Sequence, residues 1–379
     1  MQEYEEFEPN EIVVVDKLKI IISGGGSGGH IFPAIAIANE IKKQLPDAEI
    51  LFVGAKGKIE MEKVPKAGFP IKGLWISGFH RKLTLRNLLF PFKLVSSLFK
   101  AFGIIQSFKP DVVVGVGGYA SGPTLQVATM KGIPTLIQEQ NSFPGITNRL
   151  LAKKVNRICV AYEGMDKFFP KEKIRHTGNP VRQDIVELTD KKEEGLKHFG
   201  LDLNKKTILL FGGSLGAITL NDSIATNKDL LDANQNVQVL WQAGELYIEE
   251  FKQSAAAHLD NVKILSFIDR MDLAYAMADL VICRAGALTI SELCLVAKPA
   301  ILIPSPNVAE DHQTLNAKAL STKDAGVLVE DKNAEGMLKE ALQILENQHA
   351  VDGLKKNIKK LAKANAAENI VSEILQIIK

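Results

Sequence analysis

Lys17-Leu18-Lys19-Ile20-Ile21-Ile22-Ser23-Gly24-Gly25-Gly26-Ser27-Gly28-Gly29-His30 runs from an apolar segment straight into a glycine loop. An apolar run without alternation predicts a strand over Lys17–Ser23 that is covered on both faces, as strands of parallel sheets are. A helix is predicted over Ile31–Leu45. Side chains in the loop between them would keep an anionic ligand at a distance. Glycines let the backbone turn tightly and present its N–H groups. The helix start behind the loop adds roughly half a positive charge. The unit reads as strand, phosphate-ready turn and helix.

The same alternation continues outward. Strands are predicted at Glu49–Val53, Ile71–Ile76, Asp111–Gly115 and Thr135–Glu139. Helices are predicted over about 83–108 and over Gly122–Lys131. The pattern then restarts with a strand at Thr207–Phe211, followed by Val237–Gln242, Val262–Ser266, Leu280–Cys283 and Ala300–Ile303. Short apolar strands alternating with helices predict an α/β protein of two Rossmann-like, doubly wound parallel-sheet domains with a cleft between them. The join falls near Thr177–Arg182, which sets domains at 17–181 and 182–362. The tail from about Gly353 to Lys379 reads as helical, and residues 1–16 as a polar, mobile extension. A chain of 379 residues exceeds what one hydrophobic core usually supports, so two domains suit its length.

Composition narrows the function class. Hydrophobic content of 46% and charged content of 24% are those of an ordinary globular protein. A net charge of +2 is too mild to indicate nucleic acid as a partner. Cys159, Cys283 and Cys294 are the only cysteines and none has a CxxC neighbour, which predicts buried thiols in a reducing compartment. The acidic start MQEYEEFEPNE does not resemble a signal peptide, and no apolar run is long enough to span a bilayer.

Gly24-x-Gly26-x-x-Gly29 also fits a dinucleotide fingerprint. That fingerprint needs an acid at the end of the second strand, where this chain has Val53-Gly54-Ala55-Lys56. The Lys-Ser/Thr of a P-loop is missing after Gly29 as well. A nicotinamide dehydrogenase is therefore disfavoured. Two more glycine loops follow strands, at 115–122 (GVGGYASG) and 211–216 (FGGSLG). One such loop can simply reflect tight packing. Three at strand ends in both halves predict a cleft that handles a polyphosphate.

The second half holds CRAGALTISE at 283–292. A strand ends at Cys283 and a helix begins near Ala287 or Leu288, so the N–H groups of Ala287, Leu288 and Thr289 would face a diphosphate. Glu292 can accept two ribose hydroxyls, or can merely stabilise the helix dipole by about 0.3–1 kcal/mol. Downstream, EDHQTLNA at 310–317 leads a polar loop into a helix. Gln313 and Asn316 there suit sugar hydroxyls, or simply cap and solvate the helix.

Taken together and in order, GGGSGGH, GVGGYASGP, QEQNSFPGITN, GNPVR, GGSLGA, CRAGALTISE and EDHQTLNA resemble the MurG family. These bacterial N-acetylglucosaminyltransferases convert lipid I to lipid II in peptidoglycan synthesis. The resemblance covers about residues 17–379 and implies a GT-B fold, with a last helix (363–379) crossing back to the first domain. It implies UDP-N-acetylglucosamine as donor, undecaprenyl-pyrophosphoryl-MurNAc-pentapeptide as acceptor and no cofactor or active-site metal. It places the enzyme peripherally on the cytoplasmic face of the inner membrane, with cell-wall synthesis proteins as candidate partners. By resemblance, Ser27, Gly28 and Gly29 meet donor and acceptor, and Asn141 touches the N-acetylglucosamine. Arg182 and Ser214 contact the UDP, and Ile268 meets the uracil through its backbone. Ala287, Leu288, Thr289, Ile290, Ser291 and Glu292 hold diphosphate and ribose, and Gln313 binds sugar hydroxyls. Ser27 departs from the family, which more often has Thr there, but keeps the hydroxyl. Residues 1–16 are not part of the family pattern.

Transfer with inversion needs a base and a stabilised leaving diphosphate. The chain has no Asp-x-Asp to hold a metal, so the helix start at Ala287–Thr289, with Arg182 and Ser214, is expected to meet the diphosphate. His30, closing the first glycine loop, is the first candidate for the base, and Glu139, ending a strand beside Asn141, is its rival. Two alternatives share these features: another sugar-nucleotide enzyme of the same fold, such as a lipid glycosyltransferase or an epimerase, and a non-catalytic nucleotide-sugar-binding protein. Finally, Lys63–Pro110 contains no Asp or Glu, but has nine Lys and Arg residues among many Leu and Phe. Such a segment suits a surface lying on anionic headgroups, or else a packed helix with a solvated charged face.

Overall fold

The computed structural model describes residues 17–78, 89–181, 185, 188, 191–213, 215–308 and 311–378. The N-terminal extension, Arg182, Ser214 and, in the basic segment, Arg81, Lys82 and Arg86 lie outside the described residues.

The first lobe is built on β1 (Lys19–Ser23), β2 (Glu49–Ala55), β3 (Ile71–Leu74), β4 (Val112–Gly115), β5 (Thr135–Glu139), β6 (Arg157–Val160) and β7 (Ile174–His176). They form a seven-stranded sheet in the order β3-β2-β1-β4-β5-β6-β7. The second lobe repeats the plan with β8 (Lys206–Phe211), β9 (Val237–Gln242), β10 (Val262–Leu265), β11 (Leu280–Cys283), β12 (Ala300–Leu302) and β13 (Val327–Leu328). Its six strands run β10-β9-β8-β11-β12-β13. The central pairs β1–β2, β1–β4, β8–β9 and β8–β11 are all parallel. Parallel strands need crossover helices, and those helices cover both faces. Ile20 and Ile22 accordingly enter one core and Ile21 the other, and all three are fully buried.

This strand order fixes where a ligand can sit. The order in which strands are added reverses between β1 and β4, and again between β8 and β11. Crevices open off the carboxyl ends of strands at such points. The loops there are the two glycine loops of the first lobe and the 211–216 and 283–286 turns of the second.

The elements differ from expectation at several edges. The first helix spans Gly28–Gln44 and so begins inside the glycine loop, with extended Ser27 as its N-cap residue. The apolar periodicity showed only its later turns. The long helix of the basic segment is described from Phe90 to Phe108. Strands β6, β7 and β13 were not expected: they lie at or next to sheet edges, and polar residues such as Arg157 and Arg175 interrupt their apolar runs. The tail is two helices, Gln348–Lys359 and Ala366–Ile378, with the chain crossing between lobes in the gap. Ile370, Val371 and Ile374 of the last helix are buried in a first-lobe core with Ile31, Ile37 and Ile41. Each such side chain contributes about 1.5–3 kcal/mol when fully buried. Glu373 reinforces the docking through Arg157 at 3.1 Å and Arg175 at 3.4 Å.

Candidate active site

The first glycine loop is held by a residue that its own sequence does not announce. Glu60, fully buried, accepts from the Gly26 N–H at 2.8 Å and from the Ala55 N–H at 2.9 Å. Its carboxylate fills the place of a side chain at Gly25, where an added Cβ would come within 2.2 Å of the Glu60 carboxyl carbon. Gly25 also has φ +137°, in the region that disfavours a side chain. The second glycine loop presses on the first: a Cβ at Gly118 would lie 2.1 Å from the Gly25 carbonyl oxygen. Two backbones can approach so closely only without side chains.

His30 stands where these two loops meet. The Ser27 hydroxyl lies 3.0 Å from His30 Nδ1. A Cβ at Gly117 would come within 3.0 Å of His30 Nε2, so the ring lies against that glycine. Burial, helped by the imidazole of His312, pushes His30 down to about 4 from 6.5. The ring is therefore uncharged at neutral pH and one nitrogen carries a lone pair. His312 belongs to the second lobe, so this corner of the first lobe faces the second across the cleft.

Glu139 has a different environment. It is buried at the end of β5 and its two oxygens accept four hydrogen bonds. Oε1 takes the Asn141 N–H at 3.0 Å and Asn141 Nδ2 at 3.3 Å. Oε2 takes the Gly145 N–H at 3.1 Å and Asn148 Nδ2 at 2.8 Å. Burial pushes its carboxyl above the ordinary range, and the donors from Asn141, Asn148 and Gly145 pull it back. Glu139 thus ties together the loop 141–148 that carries Asn141.

In the second lobe, the helix Ala287–Val296 follows β11 through Gly286, its extended N-cap residue. No side chain caps this helix, and its first turn carries no acid. Ile290 N–H already bonds Gly286 O at 3.0 Å, which leaves the amides of Ala287, Leu288 and Thr289 as the outward donors. Glu292 accepts from the buried Tyr275 hydroxyl at 2.9 Å through Oε2. Arg284 bonds Ile303 O at 3.1 Å and Pro304 O at 3.2 Å and pairs with Asp331, so it braces the end of β12. Ile268 has its side chain in the core and can offer a ligand only its backbone. Gln313 Oε1 accepts from the Ser305 N–H at 2.8 Å. Among the described residues no group of three or more His, Cys, Asp and Glu side chains is placed to hold a metal ion.

The lobes meet through two buried asparagines. Asn316 Oδ1 accepts from the Ser142 N–H and hydroxyl, both at 3.0 Å, and Nδ2 donates to Asn141 Oδ1 at 3.2 Å. Asn316 therefore holds the opposite loop, in place of the sugar contact that its residue type suggested. Asn179, in GNP, donates to Gln140 O at 3.0 Å and to Ser291 Oγ at 3.0 Å. The Ser291 hydroxyl in turn donates to Ala287 O at 3.0 Å, so it serves the contact between lobes. Asn316→Ala should cost on the order of 3 kcal/mol of stability, because it strands buried donors and acceptors on both lobes. Urea unfolding reads this directly, and an unchanged midpoint would show the contact to be idle.

Comparison with known proteins agrees with this geometry. Residues 20–160 match the glycosyltransferase family 28 N-terminal domain and residues 207–374 match the glycosyltransferase family 28 C-terminal domain. A protein of Flavobacterium psychrophilum is 57% identical, over 96% of this chain and 99% of its own. Its name is UDP-N-acetylglucosamine--N-acetylmuramyl-(pentapeptide) pyrophosphoryl-undecaprenol N-acetylglucosamine transferase. The chain belongs to this transferase family. A transferase of the same name from Parabacteroides distasonis is 56% identical over 96% of the chain and 99% of its own. The crystal structure of Acinetobacter baumannii MurG superposes with a TM-score of 0.76 at 28% identity, covering 95% of this chain and 99% of that one. A UDP-GlcNAc 2-epimerase from Neisseria meningitidis superposes at 0.66 with 14% identity, over 95% of this chain and 100% of that one, and shares the fold alone. The transferase fold is GT-B, as the sequence motifs implied. Glu60, Asn148 and Asn179 escaped the sequence reading as working parts. Asn148 and Asn179 did lie inside quoted motifs, QEQNSFPGITN and GNPVR, whereas nothing in the sequence marked Glu60.

Proposed function

We propose that this transferase moves N-acetylglucosamine from UDP-N-acetylglucosamine to the C4 hydroxyl of the MurNAc sugar in lipid I, with inversion. The observation that carries the chemical reading is His30: an uncharged imidazole at the junction of two glycine loops, facing the second lobe. In the tautomer with Nδ1 protonated towards Ser27 Oγ, the Nε2 lone pair takes the acceptor proton. The C4 oxygen bonds to the anomeric carbon as the bond from that carbon to the diphosphate oxygen breaks. The electron pair leaves with UDP, and the proton ends on His30. The amides of Ala287, Leu288 and Thr289 meet the diphosphate, where each donor in a comparable site is worth about 2.7–4 kcal/mol. Glu292 and the Ile268 backbone take the nucleoside, Gln313 and Asn141 the sugar. Arg182 and Ser214 complete the donor site in this reading. UDP release from UDP-N-acetylglucosamine should require a short-chain lipid I analogue and survive a chelator. Nucleotide binding without release would leave a binding protein, and an epimerised donor would leave an epimerase.

The acceptor's lipid tail places the reaction at a bilayer. No described helix is long and apolar enough to cross one. Instead, helix Phe90–Phe108 exposes Phe92, Val95, Phe99 and Phe102 along one stripe, with Phe99 76% exposed. Trp75 is exposed as well, with Lys93 Nζ 5.8 Å from its ring centre. Burial and the nearby Lys56 and Lys72 hold the Lys100 ammonium below its ordinary range. Clustered lysines beside exposed aromatics fit an anionic membrane surface. Phe92→Ser with Phe99→Ser should weaken co-sedimentation with anionic vesicles at least tenfold, given about 1.5–3 kcal/mol per inserted ring. Turnover of a soluble acceptor should stay unchanged. Equal vesicle binding by the variant would remove this face from the role.

A further inference from the structure

A cavity of about 600 Å³ lies where the chain crosses between the lobes. Both crossings line it: Gly178 and Asn179 on the way out, Lys360, Leu361 and Lys363 on the way back. The crossings touch, since a Cβ at Gly178 would come within 2.5 Å of Lys363 Cβ. The cavity lies on the other side of the helix from the residues proposed to meet the nucleotide, although Ile290 and Ser291, which the resemblance put with the diphosphate and ribose, line it. Ser27, His30, Glu139, Thr289, Glu292 and Gln313 are all absent from its lining. The helix Ala287–Val296 turns Ile290, Ser291 and Cys294 towards it. The helix His312–Ser321 turns Leu315, Lys318 and Ala319 towards it, while Asn316 reaches the opposite lobe.

Its chemistry is lopsided. Five lysines line it against one carboxylate, Glu163, which already pairs with Lys323 at 3.2 Å. Lys360 donates to Asn357 Oδ1 at 3.0 Å, Lys363 also acts on Glu163 and Lys318 on Glu330, but none of the three is in a direct ion pair among the described residues. Between the lysines lie apolar walls that include Phe143 and Phe168, whose rings meet edge to face at 5.1 Å. The Tyr162 hydroxyl is buried there without a hydrogen-bond partner. A buried hydroxyl left unpaired is costly and marks a place where a ligand group or water completes the structure. Cations at the rim, aromatic walls and a waiting hydroxyl together describe a receptor for an anion with a flat or apolar body.

We propose that this hinge cavity is a second ligand site, separate from the nucleotide cleft, that takes a phosphorylated small molecule with an aromatic or apolar body. The occupant touches both lobes and both crossings, so it acts on how the lobes are held.

The test is calorimetric titration of ATP, 8-anilinonaphthalene-1-sulfonate and inorganic pyrophosphate into the full chain, free and saturated with UDP. ATP or the sulfonate should bind once, with similar affinity in both cases, and pyrophosphate more weakly for want of the flat body. Lys318→Gln with Lys363→Gln should weaken that binding about tenfold by removing two charge-assisted contacts. Lys318→Arg with Lys363→Arg should restore it, and UDP affinity and transfer should stay unchanged throughout. One-for-one displacement of the probes by UDP would overturn the proposal. So would equal binding by the glutamine variant, or no saturable binding by any probe at millimolar concentration. Because probe binding is read by calorimetry and not by turnover, failure here is distinguishable from failure of the transferase mechanism.

Discussion

His30→Ala lowers kcat by about 10²-fold or more and leaves the affinity for UDP nearly intact. The ring touches the glycine loops and carries no part of the diphosphate contact, so its loss removes a proton acceptor and little binding. Its position also fixes the pH behaviour. With His30 near 4 in the folded protein, the acid limb of kcat/KM for the free enzyme lies well below the 6.5 of an ordinary imidazole. Bound diphosphate charge favours the imidazolium, so the limb seen in kcat moves up towards neutrality. Stability has a related signature. The unfolded chain accepts a proton near 6.5 while the folded chain resists it down to about 4. Stability due to this group is therefore whole above pH 6.5 and falls as pH drops towards 4. Steady-state kinetics across pH, together with thermal unfolding of His30→Ala, measure both. A variant with near-normal kcat would release His30 from the role.

Glu139→Ala both unfolds the protein more easily and abolishes transfer. Removal of the carboxylate strands the buried Asn148 Nδ2 and takes the acceptor from the part-buried Asn141 and Gly145 N–H groups. At about 1–3 kcal/mol for the buried donor and less for the two part-buried ones, the loss is on the order of 3 kcal/mol. Glu139→Gln separates a positioning role from a chemical one. Its single carbonyl oxygen serves only half of the donors, and its amide N–H₂ opposes the other half. A positioning residue then gives a lowered melting temperature and a raised KM for the donor alongside the fall in kcat. A base would give a fall in kcat with melting temperature and KM unchanged, and that result would return the proton to Glu139. Four donors already fill its oxygens, which is why we assign Glu139 to hold the loop and His30 to take the proton.

Loop position in the sequence put His30 ahead of Glu139 as the base, but the letters show nothing of what surrounds either side chain. Both end a strand or open a helix beside a recognised motif, and both carry a side chain capable of the task. What separates them is the neighbours. His30 sits against Gly117 and across from His312, whereas Glu139 is enclosed by residues 141–148. Glu60 makes the same point more sharply, because nothing around it in KIEMEKVP signals that it shapes the first glycine loop 34 residues away.

The sequence alone determined the two α/β units, the glycine turns at strand ends and the bare helix start at Ala287. Each follows from short-range rules: apolar runs long enough to bury a strand, backbone angles that only glycine tolerates, amides left open at a helix's first turn. Tertiary structure alone decided how those turns are held and what joins the lobes. Asn316 meets Ser142 across 174 residues, and the hinge cavity draws its lysines from both lobes and the returning tail. Contacts between segments so distant leave no periodicity or spacing to read, because their energy depends on where packing of the two cores brings the chain together.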